Sequence, residues 1–310
     1  MPAKSVEIIE VGPRDGLQSE TDVMPTAMKV EFIQRLLEAG LRKIEVASFV
    51  HPGKVPQMAD AEQVVSALPQ KEGVIYIGLV LNERGFERAA ATGINEVGFA
   101  VVASDTFNRR NQGVSTEDSI SAWKRIASAA DSAGLRANVM ISAAFGCPFE
   151  GAVPESRVIE IAQELMKSEP TEIALADTIG VATPWQVRSL IEKMRPVIGT
   201  TPLRCHFHNT RNTGIANAFV AIESGANALD ASTGGIGGCP FAPAATGNIA
   251  TEDLAYMLRH SGIVTGVSMP KLLATADWLG QQMNRPMPSM LSRAGDFSPE
   301  TVAMGRPGAT

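Results

Sequence analysis

Two of the four histidines in this chain stand two positions apart, in Leu203-Arg-Cys-His-Phe-His-Asn-Thr210, at the end of an apolar run. On a β-strand, residues i and i+2 share a face. One short strand therefore aims His206 and His208 at one point, the arrangement needed to hold a divalent metal. Asp15 falls at the end of the first strand-like run, and Asn248 follows shortly after the glycine-rich loop beyond the eighth. The four together offer a carboxylate, two imidazoles and an amide oxygen. A hard or borderline ion, Mg2+ or Mn2+, suits that shell and leaves positions for water and a chelating substrate. A closed structural zinc site would be richer in cysteine. The plainer alternative is a pair of hydrogen-bonded interior histidines.

Other residues could complete such a centre. Arg14, next to Asp15 in a turn between Pro13 and Gly16, could stabilise a developing negative oxygen; its plain reading is a rim salt bridge. Four glycines within 234–238 lead to Cys239, a thiol that a mobile loop could swing over a site as acid or base. Glu45, Ser48 and Asp177 lie towards the ends of two further strand-like runs. Cys147 and Cys205 read as packing residues, and His51 and His260 as surface residues.

The elements that must position these groups alternate in type. Strand-like runs are expected at 6–11, 43–48, 74–81, 96–103, 137–144, 172–177, 203–208 and 228–232. Helical patterns follow, among them 26–39, 115–133, 155–167, 184–197 and 214–224. Strand–helix alternation gives a parallel sheet, and eight units at roughly 30-residue spacing fit a closed (β/α)8 TIM barrel. The alternative, an open doubly wound sheet, would want GxGxxG after the first strand; the chain has Gly12-Pro-Arg-Asp-Gly16 there. One α/β domain is expected over 1–285, with a C-terminal helical extension from Ser268 to about Met283. Residues 286–310 are expected to form an extended, mobile tail. In such a barrel, active sites lie at the C-terminal ends of the strands, where the residues named above fall.

Bulk composition bounds the partners. A net charge of −6 argues against nucleic acid, whose phosphates need a basic face. An anionic substrate must then be met by local cations or a metal. Three cysteines are too few for a disulfide framework. With no apolar signal core and no stretch of about 18 apolar residues, a cytoplasmic protein without a membrane span is expected.

These residues carry a resemblance to the 3-hydroxy-3-methylglutaryl-CoA lyases, metal-dependent barrel enzymes related to Claisen-type synthases. The matching segments are Val11-Gly-Pro-Arg-Asp-Gly-Leu-Gln18, Ser48-Phe-Val-His-Pro52, Val55-Pro-Gln-Met58, Gly146-Cys-Pro-Phe-Glu-Gly151, Asp177-Thr-Ile-Gly180 and His206-Phe-His208. The most specific is Gly234-Gly-Ile-Gly-Gly-Cys-Pro-Phe241 running on to Gly247-Asn-Ile-Ala-Thr-Glu-Asp-Leu254. The resemblance implies that Asp15, His206, His208 and Asn248 bind the cation and that Arg14, Glu45 and Cys239 serve catalysis; Asp177 is expected, from its place at a strand end, to support the site or face the substrate. It implies retro-Claisen cleavage of a CoA thioester, HMG-CoA giving acetyl-CoA and acetoacetate, by a homodimer or higher homo-oligomer.

Gln18, Ser48, Met140, Ala174 and Arg211 are expected to touch substrate. Met140 and Ala174 stand where mitochondrial-type lyases carry polar residues. Residues 209–214, Asn-Thr-Arg-Asn-Thr-Gly, also depart from the better-known lyases. A lost hydroxyl alters which substrate a pocket tolerates, so citramalyl-CoA or another branched 3-hydroxyacyl-CoA stays open. A synthase running the reverse reaction would be expected to carry a further C-terminal domain. A catalytically silent barrel would not need every site position filled, and a biotin-dependent carboxyltransferase would need a carrier motif that the chain lacks.

Overall fold

The computed structural model describes residues 5–238 and 247–297. Eight parallel strands close on themselves in sequence order, the first pairing with both the second and the eighth. They are β1 (Glu7–Glu10), β2 (Lys43–Ser48), β3 (Ile75–Val80), β4 (Glu96–Val102), β5 (Arg136–Ser142), β6 (Glu172–Asp177), β7 (Leu203–Phe207) and β8 (Ala228–Ala231). The expected TIM barrel is therefore present, with strand ends trimmed by up to two residues.

Each strand is short because helices cover the outer face and side chains fill the inner one. Residues of β2 and β6 are buried without exception, as strands enclosed on both faces must be. Outside the barrel, Phe99, Trp123 and Leu165 belong to the main core between sheet and helices, and Trp123 satisfies its indole N–H on Leu165 O at 3.1 Å. Helix starts follow their sequence signals. Ser115 accepts from Asp118 N–H while the Asp118 carboxylate accepts from Ser115 N–H, and Thr183 pairs with Gln186 in the same reciprocal way.

The barrel interior is mixed. Ile9, Val11, Ile77 and Ala228 form an apolar cluster. Beside them, with Ile9 in register with Lys43 and Asp230, Ile77 with Glu96 and Ala228 with Arg204, lies a buried ionic layer. Lys43 stands 3.4 Å from Glu96 and 3.3 Å from Glu172, and Arg204 lies 3.3 Å from Glu172 and 3.7 Å from Asp230. Asn138 links it by donating to Glu96 and accepting from Arg204 Nη2 at 2.9 Å. This layer floors the barrel's C-terminal mouth with fixed charge.

In the C-terminal extension the helix Met269–Gln282 is present, and residues 287–292 of the expected tail pack back onto the barrel; residues 298–310 of that tail lie outside the described residues. Met287 and Ser289 are buried, Ser289 N–H donates to Gly234 O, and Met290 and Leu291 N–H donate to Asp253. Backbone groups that find acceptors, and a buried methionine, fix a segment that its Pro/Met/Ser composition left looking unstructured.

Glu252, fully buried, accepts from Gly234 N–H at 3.1 Å and from Ser292 Oγ at 3.1 Å. Burial pushes its carboxyl up from 4.5 to about 7. The folded protein thus holds this proton more tightly than the unfolded chain. The resulting stability is present below about pH 4.5 and is lost as pH rises through about 7, a change on the order of 3 kcal/mol. Glu252→Gln should remove that slope. Urea unfolding of parent and variant at pH 5 to 8 checks it, and parallel pH dependences would refute the assignment.

Candidate active site

The site begins where β1 ends. Gly12–Gly16 forms a wide turn closed by Gly16 N–H on Val11 O, a five-residue span. In this turn strand alternation is lost, so neighbouring Arg14 and Asp15 both reach the barrel mouth. Arg14 Nη1 donates to Asp15 Oδ1 at 2.6 Å and Nη2 to Glu45 Oε2 at 2.6 Å. Arg14 Nε is buried and has no partner among the described residues. Glu45 is aimed by an irregularity in β2, where the register with β3 slips between Glu45 and Ala47.

His206 and His208 come from β7 and its end. Their Nε2 atoms lie 4.0 and 3.9 Å from Asp15 Oδ2. Asn248 is brought alongside because residues 247–249 pair with the end of β7. Asn209 N–H donates to Gly247 O and Ile249 N–H to Phe207 O. The Asn248 amide nitrogen donates to Asp15 Oδ2 at 2.8 Å and to Ile236 O at 3.1 Å. The approach depends on Gly237, at φ +106°, where a Cβ would lie 2.6 Å from Asn248 Nδ2.

The donor set fits a divalent cation. Among the described residues, ligand atoms of Asp15, His206 and His208 all lie within 4.8 Å of one another. Ligands about 2.1 Å from a common ion sit about 3 to 4.2 Å apart, a range that includes the two Asp15–histidine separations. His206 Nδ1 lies 3.1 Å from Asp230 Oδ2, which fixes its ring and leaves Nε2 for the ion. Burial and then His206 push His208 down to about 4, so its imidazole is neutral at pH 7. Burial opposes ionisation of Asp15, but Arg14 and the two imidazoles hold it well below the ordinary carboxylate range. Charge agrees as well. Among the described residues, the carboxyl groups of Asp15, Glu45, Glu96, Glu172 and Asp230 exceed in number the buried cations Arg14, Lys43 and Arg204, with Arg136 added from the solvent side.

A cavity of about 500 Å³ opens over this cluster, walled by Arg14, Asp15, Glu45, Met140, His206 and His208 among others. Gln18 and Met140 reach its wall as expected. Three expected substrate contacts do not. Ala174 is fully buried on β6 below Ala176, which is the residue of that face that reaches the cavity. Ser48 is fully buried, its hydroxyl without a partner among the described residues, and does not line the cavity. Arg211 is spent on the backbone, donating to Ile179 O and Gly180 O.

Asp177 likewise uses its carboxylate locally. Its two oxygens accept from Val181 and Ala182 N–H at 2.9 Å each and shape the loop after β6. Cys239 lies outside the described residues; Gly238, its neighbour in sequence, lines the cavity.

Cys147 and Cys205 are buried packing residues. His51, expected on the surface, is exposed but stands at the cavity mouth with Lys54 and Arg110. Sequence reasoning missed Asp230 and Arg204. The signal for Asp230 was a lone carboxylate inside the apolar strand Ala228–Ala231.

Comparison with known proteins agrees with this geometry. The family model described as HMGL-like matches residues 5–279. A (R)-citramalyl-CoA lyase of Chloroflexus aurantiacus is 43% identical over 311 residues, covering 97% of this chain and 98% of that protein. The hydroxymethylglutaryl-CoA lyase YngG of Bacillus subtilis is 42% identical over 286 residues, covering 92% and 96%. The structure of an HMG-CoA lyase from Acinetobacter baumannii, in complex with coenzyme A and 3-methylmalate, superposes with a TM-score of 0.92 at 36% identity, covering 96% and 99%. This chain belongs to the HMGL-like family.

Proposed function

We propose that this protein is a divalent-metal-dependent carbon–carbon lyase that cleaves 3-hydroxy-3-methylglutaryl-CoA to acetyl-CoA and acetoacetate. The observation that carries the reading is the placement of Arg14, braced by Asp15 and Glu45, beside the Asp15–His206–His208 cluster on one cavity wall. Mg2+ or Mn2+ is the proposed cation, held by Asp15, His206, His208 and the Asn248 amide oxygen; that last contact needs the amide to turn from its present hydrogen bonds. When bound, such an ion polarises the substrate's hydroxyl and acyl oxygens and makes the hydroxyl more acidic.

The protein's own groups supply the rest. Glu45 takes the hydroxyl proton, suited to it because burial raises its carboxyl above the ordinary range even beside Arg14. As the alkoxide becomes a ketone, the C2–C3 bond breaks and its electron pair passes to the thioester as an enolate. The Arg14 guanidinium, on the cavity wall, is assigned to that enolate oxygen. An acid then delivers one proton to the enolate carbon and completes acetyl-CoA. Cys239 is the assigned donor.

A second substrate is favoured by a specific observation. Met140 presents an apolar side chain to the cavity wall, and a relative at 43% identity is named a (R)-citramalyl-CoA lyase. Citramalyl-CoA would undergo the same bond cleavage, giving acetyl-CoA and pyruvate. Incubating the protein with each thioester and Mg2+ or Mn2+, with a chelator control, and identifying products by mass spectrometry separates them. We expect acetoacetate from HMG-CoA at the higher kcat/KM, and no product with chelator. Intact HMG-CoA beside cleaved citramalyl-CoA would overturn the substrate assignment, and no cleavage of either would overturn the reaction.

A further inference from the structure

Three chain segments meet around Asp15. They are the turn Gly12–Gly16, the turn Thr233–Gly235, and residues 247–250 leading into the helix Thr251–His260. The first carries Arg14 and Asp15, the second leads to Gly238 on the cavity wall, and the third carries Asn248. On their far side, sealed from solvent and away from the cavity, lies Glu10.

Glu10 stands between Ile9 and Val11, which both belong to the interior apolar cluster, so its side chain leaves the barrel on the opposite face. Oε1 accepts from Gly12 N–H at 2.9 Å and from Thr233 N–H at 2.8 Å. Oε2 accepts from Thr233 Oγ1 at 2.7 Å and from Thr251 Oγ1 at 2.7 Å. Each of the three segments thus spends a donor on one carboxyl group. A Cβ at Gly12 would lie 2.6 Å from Oε1, so glycine there is what admits the contact.

Among the described residues no cation pairs with Glu10 within 4.0 Å. A buried acid without a counter-ion is costly unless its hydrogen bonds are themselves needed. Burial pushes this carboxyl above its ordinary range.

We propose that Glu10 is a positioning residue for the metal and substrate groups: it clamps the segments bearing Arg14–Asp15, Gly238 and Asn248 into one unit, through hydrogen-bond shape and not through charge. The inference rests on the reading of Asp15 and Asn248 as ligands of a divalent cation. Its chemistry makes a sharp distinction between substitutions. In Glu10→Gln, the amide oxygen keeps both backbone N–H groups, and the amide nitrogen donates to the two threonine hydroxyls. In Glu10→Leu, shape is retained but two backbone donors and two hydroxyls lose their partner.

The test uses the full chain and Mn2+ as probe. Free Mn2+ is counted by electron paramagnetic resonance without substrate, and kcat and KM are measured separately. Glu10→Gln should stay within about 3-fold of the parent in both Mn2+ affinity and kcat, since its four contacts persist. Glu10→Leu should bind Mn2+ about 10- to 100-fold more weakly, the usual scale for losing a group that orients metal ligands, with kcat falling more than KM rises. Thr251→Val removes one of the four contacts and should weaken Mn2+ binding about 3- to 10-fold; it decides the matter if the leucine variant does not fold.

Parent-like Mn2+ affinity and kcat in folded Glu10→Leu, or in Thr251→Val where the former is unfolded, would overturn the proposal. So would a glutamine variant as impaired as the leucine one, or a parent that binds no Mn2+. A parent that binds Mn2+ but cleaves no acyl-CoA would sink the proposed function and leave Glu10 to be judged on metal affinity.

Discussion

Asp15→Asn is expected to fold like the parent and to lose both metal binding and turnover. Asparagine matches the shape of aspartate and keeps one acceptor oxygen, so the turn at Gly12–Gly16, closed by backbone bonds, has no reason to open. What disappears is the charge that His206 and His208 face at 4.0 and 3.9 Å and that Arg14 grips at 2.6 Å. A Lewis acid contributes several kcal/mol to such a transition state, so kcat should fall on the order of 10³-fold or more. Mn2+ affinity, measured without substrate, should fall with it, while the thermal midpoint moves by only a few degrees. An Asp15→Asn protein that still binds Mn2+ as the parent does would show that the cluster is not the metal site.

Legibility in the sequence followed a physical boundary. Elements enclosed on both faces announce themselves, because every residue must be apolar or paired; the limits expected for β2 and β6 coincide with those observed. The histidine pair was readable for the same reason, since i and i+2 on a strand leave little freedom. Residues whose role depends on where a flexible side chain ends were not readable. Asp177 and Arg211 were both expected at the site, and both turn to backbone groups of the loop after β6. Position along a strand says which end a residue occupies, but not whether a nearer N–H or C=O claims it first.

Ala174 shows a second limit. It shares a face with Ala176, but a barrel interior is layered, and only Ala176 reaches the cavity. Glu10 and Asp230 show a third. A buried carboxylate in a barrel strand reads as an anomaly, and its meaning lies in donors from other segments: Gly12, Thr233 and Thr251 for Glu10, and His206 for Asp230. The closed order of the barrel is what brings these segments together.

Arg14→Lys carries the other large expected effect, and it separates chemistry from metal binding. The parent guanidinium spends one N–H of each terminal nitrogen, on Asp15 and on Glu45, and each of these nitrogens keeps a second N–H for a substrate oxygen at the cavity wall. That division of labour needs a planar fork; an ammonium is one compact charge and cannot brace two carboxylates while reaching a third oxygen in the same geometry. Loss of one preorganised donor to a developing oxyanion costs about 10²- to 10³-fold in kcat. We expect Arg14→Lys to fall in that range with KM and Mn2+ affinity changed less than about 3-fold, because the interaction lost strengthens only as the enolate forms. Arg14→Met should lose at least as much rate and also some stability, since Glu45 would then be buried without its cation. A lysine variant with parent-like kcat and a raised KM would assign Arg14 to holding the substrate carbonyl in the ground state. The metal cluster would then have to carry the enolate charge alone.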